Sequence, residues 1–153
     1  MSAEVSFDTN IFIYTLAGGR DESAGTPRQQ ALARSDNVKA VLAQSIVLEP
    51  SIISVQLLNE FANVARRKLN MRFEEFGPLL DILASVHTVK PMDLASTRLA
   101  LEVAAETGYS IYDSNIVAVA LLAGCKTLYT EDMQHGRVLF DTLRIINPFH
   151  AIR

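Results

Sequence analysis

Cysteine is almost absent from this chain, and its scarcity excludes two kinds of small protein. Cys125 is the one cysteine among 153 residues, so no intramolecular disulfide framework can form. No Cys/His pair has the spacing of a zinc site. We therefore expect a reducing environment, with the cytoplasm as the default location. Glycine and proline, at seven and five residues, are also too few for a low-complexity chain.

Signals for targeting and for membrane insertion are absent as well. The first five residues lack the basic region followed by an apolar one that begins a signal peptide. No apolar run approaches the roughly 18 residues of a membrane span. The net charge of −3 argues weakly against a protein that coats nucleic acid with its whole surface, but it permits a local basic groove.

The chain does contain enough apolar sequence for a core. Apolar residues make up 49% and charged residues 20% of the sequence. A chain of this length buries roughly two-thirds of the surface that its unfolded form exposes. Since there is no internal repeat and no linker long enough to divide it, residues 1–153 are predicted to form a single domain.

Short apolar strands alternate with helical segments along the sequence. Strands are predicted around residues 5–7, 45–54, 86–89, 126–129 and 143–146. Helices are predicted over residues 11–16, 28–44, 55–69, 73–85, 94–107 and 112–123, with Gly77-Pro78 as a kink or break in the fourth. Ser54 and Asp93 are candidate N-caps, and Gly108 is a candidate helix end. The alternation predicts an α/β fold with three α/β/α layers. A central parallel sheet of about five strands lies between two layers of helices.

Four acidic residues fall at positions where such a sheet binds ligands. Asp8 follows the first strand, Asp132 follows the fourth, and Asp113 opens a helix at the head of its apolar stripe. Glu60 lies inside a helix, on the border between its buried and solvated faces. Each has an ordinary explanation as a cap, a turn residue or a solvated acid, but the four together indicate a shared use.

Convergence of these acids requires a positive partner. Two carboxylates about 4 Å apart repel each other by roughly 4 kcal/mol at an effective dielectric constant near 20. Oxygen ligands without a supporting His or Cys cluster favour a hard divalent ion, Mg²⁺ or Mn²⁺. The sequence therefore predicts metal-assisted hydrolysis of a phosphodiester.

The flanks of the four acids resemble a known family, the PIN-domain ribonucleases, and within it the VapC-type toxins of toxin–antitoxin pairs. The resemblance rests on Phe7-Asp8-Thr9-Asn10, Asn59-Glu60-Phe61, Tyr112-Asp113-Ser114-Asn115, Thr130-Glu131-Asp132 and the closing run Arg144 to Phe149. It spans nearly the whole chain.

The resemblance implies endonucleolytic cleavage of RNA. The implied acidic metal ligands are Asp8, Glu60, Asp113 and Asp132, with Asn10 and Thr130 as supporting polar groups. Asp132 is the least secure of them, since Glu131 is adjacent. The resemblance also implies a small antitoxin protein that inserts a segment into the acidic cleft, and a homodimer. It leaves open the role of the loop over residues 18–27, the RNA that is cut and the number of ions.

Three other functions are compatible with an acid after the first strand. A haloacid-dehalogenase-like phosphatase needs a second Asp two positions on, where this chain has Asn10. A signalling receiver needs a paired acid and a late lysine, and neither is evident. A PIN-like protein that binds RNA or a partner without cutting remains an alternative.

Other polar residues carry weaker hypotheses. The candidate phosphate contacts are Arg66, Arg67, Lys68 and Arg137, although the favoured explanation of each is an ordinary one, a helix C-terminal charge or a solvated loop. His87, His135 and His150 lie far apart in sequence and are predicted to be structural or surface groups. The aromatic residues fit core positions, so no base-stacking platform is predicted.

Overall fold

The structure is a computed structural model and describes residues 4–152, so the expectation about the first residues falls partly outside the described range. The strands are β1 Val5–Phe7, β2 Ile52–Ser54, β3 Thr88–Lys90, β4 Thr127–Tyr129, β5 Val138–Leu139 and β6 Leu143–Ile146. The helices are α1 Thr9–Tyr14, α2 Pro27–Val47, α3 Val55–Lys68, α4 Phe73–Val86, α5 Leu94–Thr107 and α6 Ile111–Leu122. Within residues 4–152, no helix has both the length and the apolar character to cross a membrane.

The strands form one sheet in the order β3-β2-β1-β4-β6-β5. The first five of these are parallel to their neighbours, and β5 runs antiparallel to β6 at one edge. The chain builds outward from β1 through β2 to β3 and then returns to β4 on the other side of β1. The reversal of strand order therefore lies between β1 and β4, which is where open α/β sheets bind ligands.

Each face of the sheet packs against its own set of helices. Phe7 and Ile53 lie in one apolar cluster with residues of α1 to α4, among them the fully buried Phe61. Ile52 and Leu128 lie in a second cluster with residues of α5 and α6. Side chains alternate between the two faces along a strand, so β2 supplies neighbouring residues to both clusters. The predicted three-layer α/β/α fold is confirmed.

Local capping signals place several helix ends as predicted. The Ser54 hydroxyl accepts a hydrogen bond from the Leu57 amide at 3.0 Å, and the Asp93 carboxylate accepts one from the Ser96 amide at 2.8 Å. Gly108 ends α5 with a φ of 78°, in the left-handed region that glycine enters without strain. These contacts need only neighbouring residues, and the sequence therefore reveals them.

The structure corrects the predicted elements in two places and adds one strand. Residues 45–47 are the last turn of α2 and not the start of a strand, because Ile46 and Val47 pack on the first core cluster as part of the helix. The pair Gly77-Pro78 does not break α4, because the helix spans Phe73–Val86 without interruption and contains the proline. The sequence pattern does not predict the two-residue strand β5.

Candidate active site

The carboxyl end of β1 holds the most buried acid of the site. Asp8 is 4% exposed and caps α1, accepting a hydrogen bond from the Thr9 amide at 2.6 Å. Its other oxygen accepts a hydrogen bond from the Thr130 hydroxyl at 3.0 Å. Strand and helix together therefore fix Asp8 at the point where strand order reverses.

The neighbouring strand β4 contributes a threonine and a second acid. Thr130 is fully buried, and its hydroxyl accepts a hydrogen bond from the Asp132 amide at 3.1 Å while donating to Asp8. The Asp132 carboxylate accepts a hydrogen bond from the Asn10 side-chain amide at 2.9 Å. Asn10 and Thr130 thus orient the two acids that follow β1 and β4.

Helix α3 brings Glu60 to the same place. One Glu60 oxygen accepts a hydrogen bond from the Thr9 hydroxyl at 2.7 Å, and the other accepts one from the side-chain amide of Gln56 at 2.9 Å. Gln56 also donates to the Tyr112 carbonyl at 3.2 Å and accepts from the Asn115 side chain at 3.1 Å. These contacts tie α3 to the first turn of α6.

Asp113 lies in the first turn of α6, three residues after the N-cap Ser110, and is half-buried. Its amide donates to the Ser110 hydroxyl at 3.1 Å. A carboxylate in this turn interacts favourably with the positive end of the helix dipole. The helix thereby directs a fourth acid toward the end of the sheet.

One cleft of about 250 Å³ contains all four acids. Its lining residues are Asp8, Thr9, Asn10, Ile13, Glu60, Asn63, Val64, Arg67, Asp113, Ile116 and Asp132. The cleft therefore joins the ends of β1 and β4 to one face of α3 and the start of α6.

The electrostatics of the cleft disfavour ionisation of its buried acids. The pKa of Asp8 is raised to about 7, mainly by burial and then by the Asp132 and Asp113 carboxylates, while hydrogen bonds from Thr130 and Thr9 oppose the rise. Burial also raises the pKa of Asp113, with contributions from Asp132 and Glu60. Among residues 4–152, no lysine, arginine or histidine forms a salt bridge with any of the four acids. The four acids therefore have no ion-pair partner in the described part of the chain, although Arg67 lines the same cleft.

Comparison with known families identifies the fold that carries this cleft. The family model described as PIN domain matches residues 5–140. The chain belongs to the PIN domain family. A comparison with curated proteins gives no match. PIN domains are typically nucleases and bind RNA, which gives the general class of activity and of partner.

Hydrogen bonds from neighbouring polar groups orient the acids of this PIN domain. Within the described part of the chain, no group of three or more His, Cys, Asp or Glu side chains is arranged so that it could hold a metal ion. Asp8, Glu60 and Asp132 instead use their oxygens as acceptors for Thr9, Thr130, Gln56 and Asn10. Because a carboxylate oxygen has two lone pairs, each acid can coordinate an ion while it keeps these contacts, but the carboxylates would first have to move closer together.

The four basic residues named as candidate phosphate contacts lie at different places relative to the cleft. Arg67 lines the cleft, whereas Arg66 contacts Asn70 and Lys68 lies beside an apolar pocket on another part of α3. Arg137 lies over the ring of Tyr109, 5.5 Å from its centroid. Only Arg67 of the four candidates is therefore placed by this structure to contact a phosphate in the cleft.

Sequence reasoning missed Thr9, Gln56 and Asn115 as members of the site. Gln56 had a usable signal, since it precedes Glu60 by one helical turn on the same face. Thr9 and Asn115 had none beyond their positions next to Asp8 and Asp113, because their contacts join elements that are distant in sequence.

Proposed function

We propose that this PIN domain is a metal-dependent endoribonuclease that hydrolyses RNA phosphodiester bonds. The observation that supports it most is the convergence of Asp8, Glu60, Asp113 and Asp132 in one cleft without a cationic side chain paired to them. Four carboxylates so placed are costly to the fold unless a cation joins them. Family membership supplies the reaction class, and the cleft supplies the candidate site.

The cleft suits a small hydrated divalent ion. Its donors are carboxylate, hydroxyl and amide oxygens, the set that Mg²⁺ and Mn²⁺ prefer. A volume of about 250 Å³ holds about eight waters at their liquid volume, which is room for an ion with part of its hydration shell and a phosphate. We propose that Asp8, Glu60, Asp113 and Asp132 hold the ion. Bound there, it would lower the pKa of a water and neutralise charge on the phosphate.

The polar residues around the acids hold the carboxylates in place by hydrogen bonds. Thr130 and the Thr9 amide hold the two oxygens of Asp8, and Asn10 holds one oxygen of Asp132. Thr9 and Gln56 do the same for Glu60 from opposite sides. Such contacts fix the orientation of each carboxylate before substrate arrives, which lowers the reorganisation that catalysis requires.

To test the activity, the purified protein is incubated with total RNA, either with Mg²⁺ or Mn²⁺ or with EDTA. The new RNA ends are then mapped. We expect discrete cuts that depend on the ion. Asp8→Asn and Asp113→Asn should each abolish cleavage, because a neutral amide keeps the shape and loses the charge. Asp81→Asn, an exposed acid on α4 outside the cleft, is the matched control and should cut at the wild-type rate.

Undiminished cleavage by Asp8→Asn would refute the assignment of this cleft. Binding of RNA without cleavage under any divalent ion would favour the alternative, a non-catalytic PIN-fold protein that binds RNA or a partner. The haloacid-dehalogenase-like phosphatase is not favoured, because the family match is to the PIN domain and Asn10 stands where that mechanism needs an acid.

We further propose that the protein is a cytoplasmic toxin of the VapC type, inhibited by a small antitoxin and active as a homodimer. The resemblance of the motifs around the four acids supports this role. Expression of the wild-type chain alone should arrest bacterial growth, and Asp8→Asn should relieve the arrest. Equal arrest by both chains, or none from the wild type at matched protein levels, would contradict the toxin role. Light scattering of the purified protein tests the dimer.

A further inference from the structure

Two histidines that are distant in sequence stack on each other at the surface. The rings of His135 and His150 lie with their centroids 4.2 Å apart and their planes 18° from parallel, and both residues are exposed. Neither belongs to the acidic cleft, and family membership gives neither a role. The pair is therefore an exposed aromatic stack without an assigned function.

The loop that carries the pair is fixed by hydrogen bonds. The Nδ1 atom of His135 accepts a hydrogen bond from the Asn147 amide at 3.0 Å, and the Gly136 amide donates to the Ile145 carbonyl at 2.8 Å. The His150 amide in turn donates to the Asn147 carbonyl at 3.2 Å. Because Nδ1 of His135 is an acceptor, Nε2 carries the proton of its neutral ring and remains a donor. The stack is thus preorganised, with one polar atom free to bind.

The sheet places the pair on the same edge as the acids. Asp8 follows β1 and Asp132 follows β4, while His150 comes four residues after β6, the next parallel strand. Adjacent strands lie about 4.8 Å apart, so the end of β6 is about 10 Å from the end of β1. A single short segment of nucleic acid can therefore contact the cleft and the pair together.

Cationic side chains flank the acids on both sides of this path. Arg67 lines the cleft on the α3 side. On the β6 side, the Lys39 ammonium lies 5.1 Å from the ring centroid of Tyr14 and 5.5 Å from that of Phe149, the residue before His150. Positive groups along a path attract the backbone phosphates on either side of a scissile bond.

We propose that His135 and His150 bind an RNA base next to the cleavage position, with the base stacked on the exposed histidine pair. The inference rests on the proposed endoribonuclease function and deepens it. A base stacks on an aromatic ring only when its own face is free, and in a duplex both faces are covered by neighbouring bases. The Nε2 proton of His135 is available to a base or phosphate oxygen at the same time.

Binding and cleavage of defined RNAs test the proposal. The probe is a fluorescently labelled mixed-sequence RNA of about 12 nucleotides, alone or annealed to its complement, with anisotropy measured in EDTA. We expect tighter binding of the single strand by wild type. His150→Ala should weaken that binding by about 5- to 150-fold, the range for loss of one stacked base. His150→Phe should keep most of it, because phenylalanine preserves the stacking surface.

The controls separate the pair from general charge and from folding. Lys126→Ala removes a cation at the opposite, amino end of β4, and it should leave binding unchanged. His150 makes no side-chain hydrogen bond among the described residues, so its alanine variant should keep the wild-type melting temperature. In Mg²⁺, His150→Ala should raise KM and leave kcat nearly unchanged, since the pair lies beside the reacting phosphate and not on it.

Two outcomes would overturn the inference, and they differ from failure of the proposed function. If wild type cuts RNA and His150→Ala binds the single strand equally well, the pair does not bind substrate. If His150→Phe binds the single strand as weakly as His150→Ala does, stacking on this ring does not hold a base. Absence of cleavage by wild type with any divalent ion removes the nuclease function first, and the inference with it.

Discussion

Asp8 has a structural and an electrostatic role at the same time. It caps α1, which stabilises the helix, yet it is buried beside Asp132 and Asp113 without a salt bridge among the described residues. Burial and the neighbouring charges disfavour its ionised form, and the fold accepts this cost at the position where strand order reverses. Perturbed titration of this kind is typical of functional sites.

Titration of Asp8 predicts how the metal-free protein responds to pH. Its pKa is about 7 in the folded state, against an ordinary value of 3.8 in an unfolded chain. The folded state therefore binds more protons between these values, and the free energy of unfolding should fall as the pH rises from about 4 through about 7. A shift of this size corresponds to on the order of 4 kcal/mol. Urea unfolding in EDTA at several pH values measures the slope.

The matched variant isolates the contribution of Asp8. Asp8→Asn should be less sensitive to pH over the same range, because asparagine does not titrate. The pKa of His87 is lowered by burial, so protonation of this residue acts in the opposite direction as the pH falls below its ordinary value. The difference between wild type and Asp8→Asn removes that background. A slope that is the same in both proteins would contradict the electrostatic description of the cleft.

Among the elements, α4 shows how packing overrides a local breaker. Pro78 cannot donate a backbone hydrogen bond to the preceding turn, and Gly77 lowers helix propensity. Leu79, Leu80 and Leu83 of the same helix nevertheless pack on the first core cluster. The Glu75 carboxylate also accepts a hydrogen bond from the Arg72 amide at 3.3 Å, which holds the first turn. The buried face therefore keeps the helix continuous.

Glycine substitutions distinguish the two backbone environments of the helices. Gly77 lies inside α4 directly before Pro78, and the Cβ of alanine would crowd the proline ring in the helical conformation, so Gly77→Ala should not give the stabilisation of about 0.5–1 kcal/mol expected at other exposed helix positions. Gly108 has open space for a Cβ but a φ of 78°, so Gly108→Ala should destabilise the protein by about 1 kcal/mol. Thermal unfolding measures both. A Gly108→Ala variant as stable as wild type, or a Gly77→Ala variant stabilised by about 1 kcal/mol, would contradict the backbone argument.

The molecule as a whole couples the proposed metal site to its stability. The four acids come from β1, α3, α6 and the segment after β4, so an ion held by them would link elements from both halves of the sequence. A ligand that binds only the folded state stabilises it by mass action. The same ion would also relieve the repulsion that raises the Asp8 pKa.

Melting in the presence of Mn²⁺ or Mg²⁺ measures this coupling. At 100 times the dissociation constant, the ion should add about 2.7 kcal/mol. For a chain of this size, that corresponds to a rise in melting temperature of roughly 5–10 °C. EDTA should reverse the rise, and Asp8→Asn and Asp113→Asn should reduce it. An unchanged melting temperature relative to a potassium chloride control of equal ionic strength would argue against a metal site.

The hairpin of β5 and β6 shows why one strand could not be predicted. Its turn places Phe140 and Asp141 at φ values of 50° and 59°, and the Thr142 amide donates to the Leu139 carbonyl at 3.1 Å. A turn with both central residues in the left-handed region favours Asn, Asp or Gly, which are the sequence signals for it. This chain has Asp141 at the second position, but the bulky Phe140 at the first gives no such signal. Pairing with β6 alone specifies the two-residue strand.

The sequence alone determined the α/β class, the helix caps and the positions of the acids along the chain, because periodicity and capping act over a few residues. Only the tertiary structure decided the strand order, which sets Asp8 beside Thr130 across 122 residues and stacks His135 on His150. It also decided that residues 45–47 are helical and that α4 is unbroken. The physical reason is that these outcomes depend on which faces bury each other, a property of the packed chain and not of any local segment.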